Sequence, residues 1–383
     1  MNNSRMRRLL LLLWLTCLKI SANAAEADWS VRVTPFDAIY PALELSQPQH
    51  ERSASPAPEF GTGNGLIAVR VHARSSGERV HLRAELPELQ ARAQVDAVLP
   101  QAGVDYELHP LFSWDLARLG ALAAARKVDL QASLQREDAA PATRVREVVV
   151  KPLSEALYFV RDGSDSVDLS WIFAAYVDEH DPVVDEVLAA ALQSGIVEQM
   201  DGYAGGSGDP VLRQVWAVWH ALAAHGIRYS AADPGIARGP HAFSQRVRLL
   251  AQTWSDRSAN CVDGSVLIAS VLQRIGLRSF LVLVPGHAFV GFYTDAAATH
   301  AVYLETTVLG APTPTLSQTP AFAALDGPGA ARLDLAGFSA ALTLGQRRFT
   351  RNASRFDQRH RPDYAVIDIG AARAFGIEPI DLR

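Results

Sequence analysis

An α+β fold is what this sequence predicts, on three observations. From about residue 28 to 150, short runs alternate apolar and polar residues with the period of half-buried strands. After about residue 152 the apolar spacing becomes helical. Between Gln245 and Thr307 a helical stripe is followed by apolar runs of strand length. The chain has 383 residues, 49% of them apolar, which suits two or three domains with real cores. Its net charge of −5 gives no overall basic signature, so no nucleic-acid partner is expected.

The first element is a leader. Arg5, Arg7 and Arg8 precede an apolar run from Leu9 to Leu18, and Ala22-Asn23-Ala24 follows. A basic start, a short apolar stretch and an Ala-x-Ala exit predict a signal peptide over 1–24, cleaved after Ala24. The run is shorter than the roughly twenty apolar residues of a membrane span. A periplasmic or secreted protein without a membrane span is therefore expected. Cleavage would remove Cys17, one of the two cysteines, leaving Cys261 alone and unable to form an internal disulfide. An unpaired thiol in an exported protein is reactive, intermolecular, or buried as a small hydrophobe.

Residues 25–151 form a predicted N-terminal β-rich domain. Leu66 to Ala73, Val80 to Leu86 and Arg144 to Val150 alternate as strands, with Ser-Gly, Pro and Asp breaks between them. Ser46 to Gly65, rich in Pro, Ser and Gly, reads as a surface loop, and the Ala/Leu content of Asp115 to Ala125 suits a helix. The pattern predicts a small antiparallel β-sandwich. His72, His81 and His109 are scattered and read as ordinary strand residues.

Residues 152–383 form the second predicted domain. Ser170 to Val177, Pro182 to Gln193 and Pro210 to His225 have helical spacing, and Gly226 ends the last of these. His220 and His225 do not share a helix face. There is no His-Glu-x-x-His, Cys-x-x-Cys or phosphate-cradling glycine motif, so no metal and no organic cofactor is expected. From Ala311 the chain begins a Pro/Thr-rich stretch expected to wrap this domain. Gln346 to Arg361 carries six arginines against one aspartate and reads as a solvated segment in preference to an anion-binding patch. Tyr364 to Ile369 reads as a strand and Ala371 to Gly376 as a short helix.

The chemistry concentrates after Gln245. Asn260 is a good N-cap residue, and a helix follows from Cys261 to Ile275, closed by Gly276. Backbone N–H groups at that helix start favour a thiolate and an oxyanion beside it. Phe280 to Val284 is a buried strand, Pro285-Gly286 a turn, and His287 opens a strand running through Ala288 to Tyr293. Asp295 to Thr299 makes a loop, and Ala301 to Thr307 a third strand. With the hairpin tip at Ala296, paired residue numbers sum to about 592, which puts His287 opposite Glu305 at roughly 5 Å between Cβ atoms. Cysteine supplies the nucleophile, histidine moves the proton, and a carboxylate fixes the imidazole and its charge. Cys261, His287 and Glu305 are the candidate catalytic residues.

This segment resembles the transglutaminase-like superfamily, in its bacterial branch with Cys-x-Asp-x-x-x-Leu, Val-Pro-Gly-His-Ala-Phe and Glu-Thr-Thr. Those motifs stand here as Cys261, Asp263 and Leu267; Val284 to Phe289; and Glu305 to Thr307. The resemblance extends weakly to the Trp216 helix and Ile227-Arg228-Tyr229, and leaves residues 28–150 uncovered. It implies a papain-like core with the cysteine on a helix followed by antiparallel strands. It also implies Cys261 as nucleophile, His287 as general base and acid, and Glu305 as orienting acid. Two positions depart from the common pattern: glutamate stands where most members have aspartate, and Phe289 where many have tryptophan. No oxyanion side chain is assigned, although Gln252 and Trp254 lie upstream. The expected function is an exported cysteine peptidase or amidase acting through a thioacyl intermediate on a peptide, protein or cell-wall amide. Protein cross-linking and a non-catalytic envelope scaffold are the alternatives.

Overall fold

The structure is a computed structural model. It describes residues 28–47, 59–61, 66–137, 139–162, 165–231, 236–238, 241–311, 329–356 and 363–382. The predicted leader, with Cys17, lies outside the described residues. Mixed α and β elements make up two compact units, Met1–Val160 with Asp381–Arg383, and Arg161–Ile380. The sequence-based boundary at residue 151 marks the end of a strand, and the division between the units falls in the strand after it.

The first unit holds β1 (Trp29–Val33), β2 (Ala38–Ile39), α1 (Pro41–Leu45), β3 (Glu59–Gly61), β4 (Ile67–His72), β5 (Glu78–Leu86) and β6 (Ala91–Leu99). After these come β7 (Asp105–His109), α2 (Leu116–Gly120), β8 (Arg126–Arg136) and β9 (Ala142–Val150). One sheet runs β1-β4-β7-β3 and the other β2-β9-β8-β5-β6. Strict alternation in β6 buries Ala91, Ala93, Val95, Ala97 and Leu99 and turns their neighbours to solvent. Val69, Val71 and Leu108 of the first sheet share a core with Leu82, Leu99 and Leu134 of the second. Two details differ from the expected antiparallel arrangement. The short strands β2 and β3 pair parallel to β9 and β7, and β3 lies inside the stretch expected to be loop. Asp115 caps α2, which is only five residues long, by accepting from the Arg118 N–H.

The strand in which the division falls is β10 (Glu155–Asp162). In the second unit, β11 (Asp165–Asp168) leads to a 3₁₀ turn at Ser170–Tyr176, where a helix was expected. Next come α3 (Pro182–Gln193), α4 (Asp209–His225), β12 (Arg228–Tyr229), β13 (Ile236–Arg238), β14 (Ala242–Arg246), α5 (Leu250–Asp256), β15 (Ser258–Ala259) and α6 (Cys261–Arg274). The rest comprises β16 (Ser279–Val284), β17 (His287–Tyr293), β18 (Ala301–Leu304), α7 (Gly329–Asn352), β19 (Ala365–Asp368) and α8 (Ile369–Phe375). Gly226 ends α4 in the left-handed conformation, φ 93°.

An antiparallel sheet, β18-β17-β16-β19, carries the site. All six residues of β16 are buried, as their unbroken apolar run requires. Helix α6 packs on β16 and β17, and α7 lies along β18. The Arg-rich stretch expected to be a surface segment is in part the end of α7, tied down by Phe349, which stacks on Tyr303 at 4.0 Å. Among the described residues no helix is long and apolar enough to cross a membrane.

Candidate active site

Cys261 sits at the first position of α6 because Asn260 caps that helix. The Asn260 side-chain oxygen accepts from the Val262 and Asp263 N–H groups, at 2.8 and 2.9 Å. Asp263 returns the bond to the Asn260 N–H at 3.0 Å, completing a capping box. The buried Asp263 carboxylate is also held by Arg248, through its backbone N–H at 2.8 Å and its guanidinium at 2.7 Å. The cap therefore takes the two N–H groups after the cysteine and not the N–H of Cys261 itself. The Cys261 carbonyl accepts from the Ser265 hydroxyl at 2.6 Å and the Thr306 hydroxyl at 3.2 Å. Gly264 permits this approach, since a Cβ there would stand 3.2 Å from Thr306 Cβ.

His287 opens β17 directly after the Pro285-Gly286 turn. Its Nε2 donates to Glu305, 2.8 Å from Oε2 and 3.0 Å from Oε1. The expected hairpin register is off by two residues: Val290 pairs with Leu304 instead of Val302. β18 also ends at Leu304, so Glu305 is not cross-strand partner to His287 but N-cap of a 3₁₀ turn, Thr306–Val308. A slip of two residues preserves the sheet face, whereas a slip of one would have reversed it. The carboxylate, one carbon longer than aspartate, spans the remaining distance.

Three donor groups and a cation surround that carboxylate, which is 1% exposed. Besides His287, the Thr307 N–H (3.2 Å) and hydroxyl (2.8 Å) donate to Oε1, and Arg348 forms an ion pair with it, Nε lying 2.9 Å from Oε2. Burial alone would raise the carboxyl, but His287, Arg348 and Thr307 together hold it below its ordinary range. For His287, burial favours the neutral ring. The Cys261 sulfur and the Glu305 carboxylate, acting by hydrogen bond and by charge, overcome this and push the imidazole up to about 9. With Nε2 turned to the acid, Nδ1 is the nitrogen left for the sulfur. Tyr229, on β12, is near enough to be influenced by Cys261, Glu305 and Arg348.

The arrangement thus brings together His287 and Glu305, and places the Cys261 sulfur against the same ring. The sequence assigns no role to Arg348, Arg248, Thr307 or Tyr229, although the Glu-Thr-Thr motif includes Thr307, the Ile227-Arg228-Tyr229 stretch includes Tyr229, and the arginine-rich run includes Arg348. Gln252 is exposed, and the Trp254 indole is already engaged, donating to Glu186 at 2.8 Å while stacking on His225. His220 pairs with Asp334 and His225 with the Trp254 carbonyl, each apart from the other.

Metal-ligand types gather in the first unit, where atoms of Glu59, Glu107 and His109 lie within 4.8 Å of one another. His109 is buried, its Nδ1 donating to the Ile67 carbonyl at 3.3 Å, and Arg32 neutralises Glu107 at 2.8 Å. Comparison with known proteins finds no matching family model, no matching curated protein and no matching solved structure.

Proposed function

We propose that this protein is an exported thiol acyl-transfer enzyme of transglutaminase-like type, with a papain-like core and Cys261 as nucleophile. The observation that carries the reading is the His287 imidazole held between the Glu305 carboxylate, 2.8 Å from Nε2, and the Cys261 sulfur. A ring so placed takes the thiol proton and holds it near neutral pH, because the negative charges on both sides favour the imidazolium. The thiolate attacks the carbonyl carbon of a peptide or envelope amide, forming a C–S bond. Negative charge moves to the carbonyl oxygen, for which the Cys261 N–H at the helix start, not taken by the Asn260 cap, is the candidate donor. The tetrahedral centre collapses, the C–N bond breaks, and the His287 proton leaves with the amine. Water then gives a proton to His287 and attacks the thioester; the C–S bond breaks, and the proton returns to sulfur. Glu305 keeps the ring oriented throughout and does not change protonation.

The test is alkylation of Cys261 by iodoacetamide at neutral pH. Faster labelling than that of an unstructured cysteine peptide is expected, with none in Cys261→Ala. Labelling no faster than the peptide would sink the enzymatic reading and favour the scaffold. With peptide amides offered to the labelled-competent enzyme, mass spectrometry of the products separates hydrolysis from amine transfer: water leaves a free acid, an added amine leaves a new amide.

A further inference from the structure

Arg348 has more guanidinium than Glu305 uses. Its Nε is paired with Oε2 of an acid that is almost fully enclosed, yet the Arg348 side chain is 41% exposed. Part of the guanidinium is therefore open to solvent, and among the described residues Glu305 is the only side chain paired with it. Arg348 is held in place from both sides. Phe349 beside it stacks on Tyr303 of β18, and Gly345 lets α7 approach so closely that a Cβ there would stand 2.5 Å from the Tyr303 carbonyl oxygen. A fixed, planar cation with unused N–H donors is the group that proteins use to bind carboxylates in two-point fashion.

A second group borders the same place. β12 packs on the Thr306–Val308 turn and pairs with β15, the strand that leads into Asn260 and Cys261. It presents Tyr229, 37% exposed, with its phenol pushed up by burial and by the charges of Cys261 and Glu305 and pulled down by Arg348. A guanidinium paired with Glu305 and a phenol that feels the charges of Cys261 and Glu305 thus adjoin the trio, while the acids of the site, Glu305 and Asp263, are buried and already paired with His287, Arg348 and Arg248.

Resting on the acyl-transfer reading above, we propose that Arg348 and Tyr229 select an acyl donor bearing a carboxylate next to the scissile amide, that is, an acidic peptide. The carboxylate would take the free N–H groups of Arg348 and the Tyr229 hydroxyl, setting the neighbouring carbonyl over the Cys261 sulfur.

Two alkylating probes test this without knowledge of the natural substrate. Iodoacetate and iodoacetamide both form a C–S bond at the Cys261 sulfur and release iodide, but only iodoacetate carries a carboxylate. The readout is the ratio of their rate constants on the full chain. The charged groups around the site are His287 against the sulfur, Glu305 behind that ring, Arg348 paired with Glu305 and, if ionised, Tyr229. Arg348→Gln should lower the ratio about fivefold, and Arg348→Lys should recover most of it. A role for Arg348 confined to holding Glu305 predicts the opposite: relieved of its competitor, Glu305 would hold the imidazolium more firmly, and the ratio would stay or rise.

The wild-type protein provides an independent check. At pH 10 the His287 cation is largely gone, whereas Arg348 stays charged. A preference for iodoacetate relative to a cysteine peptide should persist there. Loss of all preference at pH 10, or an unchanged ratio in Arg348→Gln, overturns the proposal. Slow reaction with iodoacetamide itself would instead overturn the acyl-transfer reading, so the two failures are distinguishable.

Discussion

At the scale of single residues, the site is governed by one buried carboxylate. Glu305 accepts from His287 and Thr307 and pairs with Arg348, and removal of its charge leaves the imidazolium in a buried place with less to favour it. Glu305→Gln is therefore expected to move the His287 titration from about 9 towards or below the ordinary histidine value of about 6.5, as followed by NMR of the ring protons. The same raised value fixes a stability dependence. A histidine whose folded value lies above its unfolded value stabilises the fold fully below about pH 6.5 and loses that contribution as pH rises through about 9. Urea unfolding of wild type against His287→Gln should show an advantage at pH 6 that is gone by pH 10. A constant difference across that range would contradict the ion-pair picture. Thr306 explains its place in the Glu-Thr-Thr run by gripping the Cys261 carbonyl, and Thr307 by donating twice to Glu305.

At the scale of elements, the position of the thiol depends on how α6 begins. Asp263 closes the capping box and answers the Arg248 charge in a buried setting. Asp263→Ala removes a cap and leaves Arg248 without its acid, at a cost of about 3 kcal/mol. Urea denaturation measures the loss, and slower iodoacetamide labelling should accompany it because the helix start is loosened. Helix α7 matters for a different reason: it delivers Arg348. Gly345→Ala would set a Cβ against the Tyr303 and Leu304 backbone at 2.5–2.9 Å. Backbone cannot yield as a side-chain tip can, so about 1–3 kcal/mol of stability should go. The iodoacetate preference should fall with it as Arg348 is displaced from Glu305.

At the scale of the whole molecule, export and thiol count go together. If residues 1–24 are removed, the mature chain has one cysteine; its intact mass should show loss of the leader and a single free thiol, with no disulfide. A mass retaining Cys17 would contradict the exported reading. Much of this protein is written locally in its sequence. The α+β class, the N-cap at Asn260, the helix that opens on Cys261, the buried run of β16 and the turn before His287 follow from residue type and period over a few neighbours. The same local patterns yield the trio Cys261, His287 and Glu305 as candidates. Tertiary structure decided what those patterns leave free. The β17–β18 register lies two residues from the one that symmetry about Ala296 suggested, and Glu305 leaves the strand to cap a 3₁₀ turn. Arg348 comes from a helix whose arginine-rich end, read alone, is a solvated surface. Register and helix placement depend on which apolar faces bury one another, here Tyr303 against Phe349 and Gly345 against the β18 backbone. Those contacts join segments far apart in the chain, so no short-range period encodes them, and the acid's cationic partner comes into place only when α7 packs.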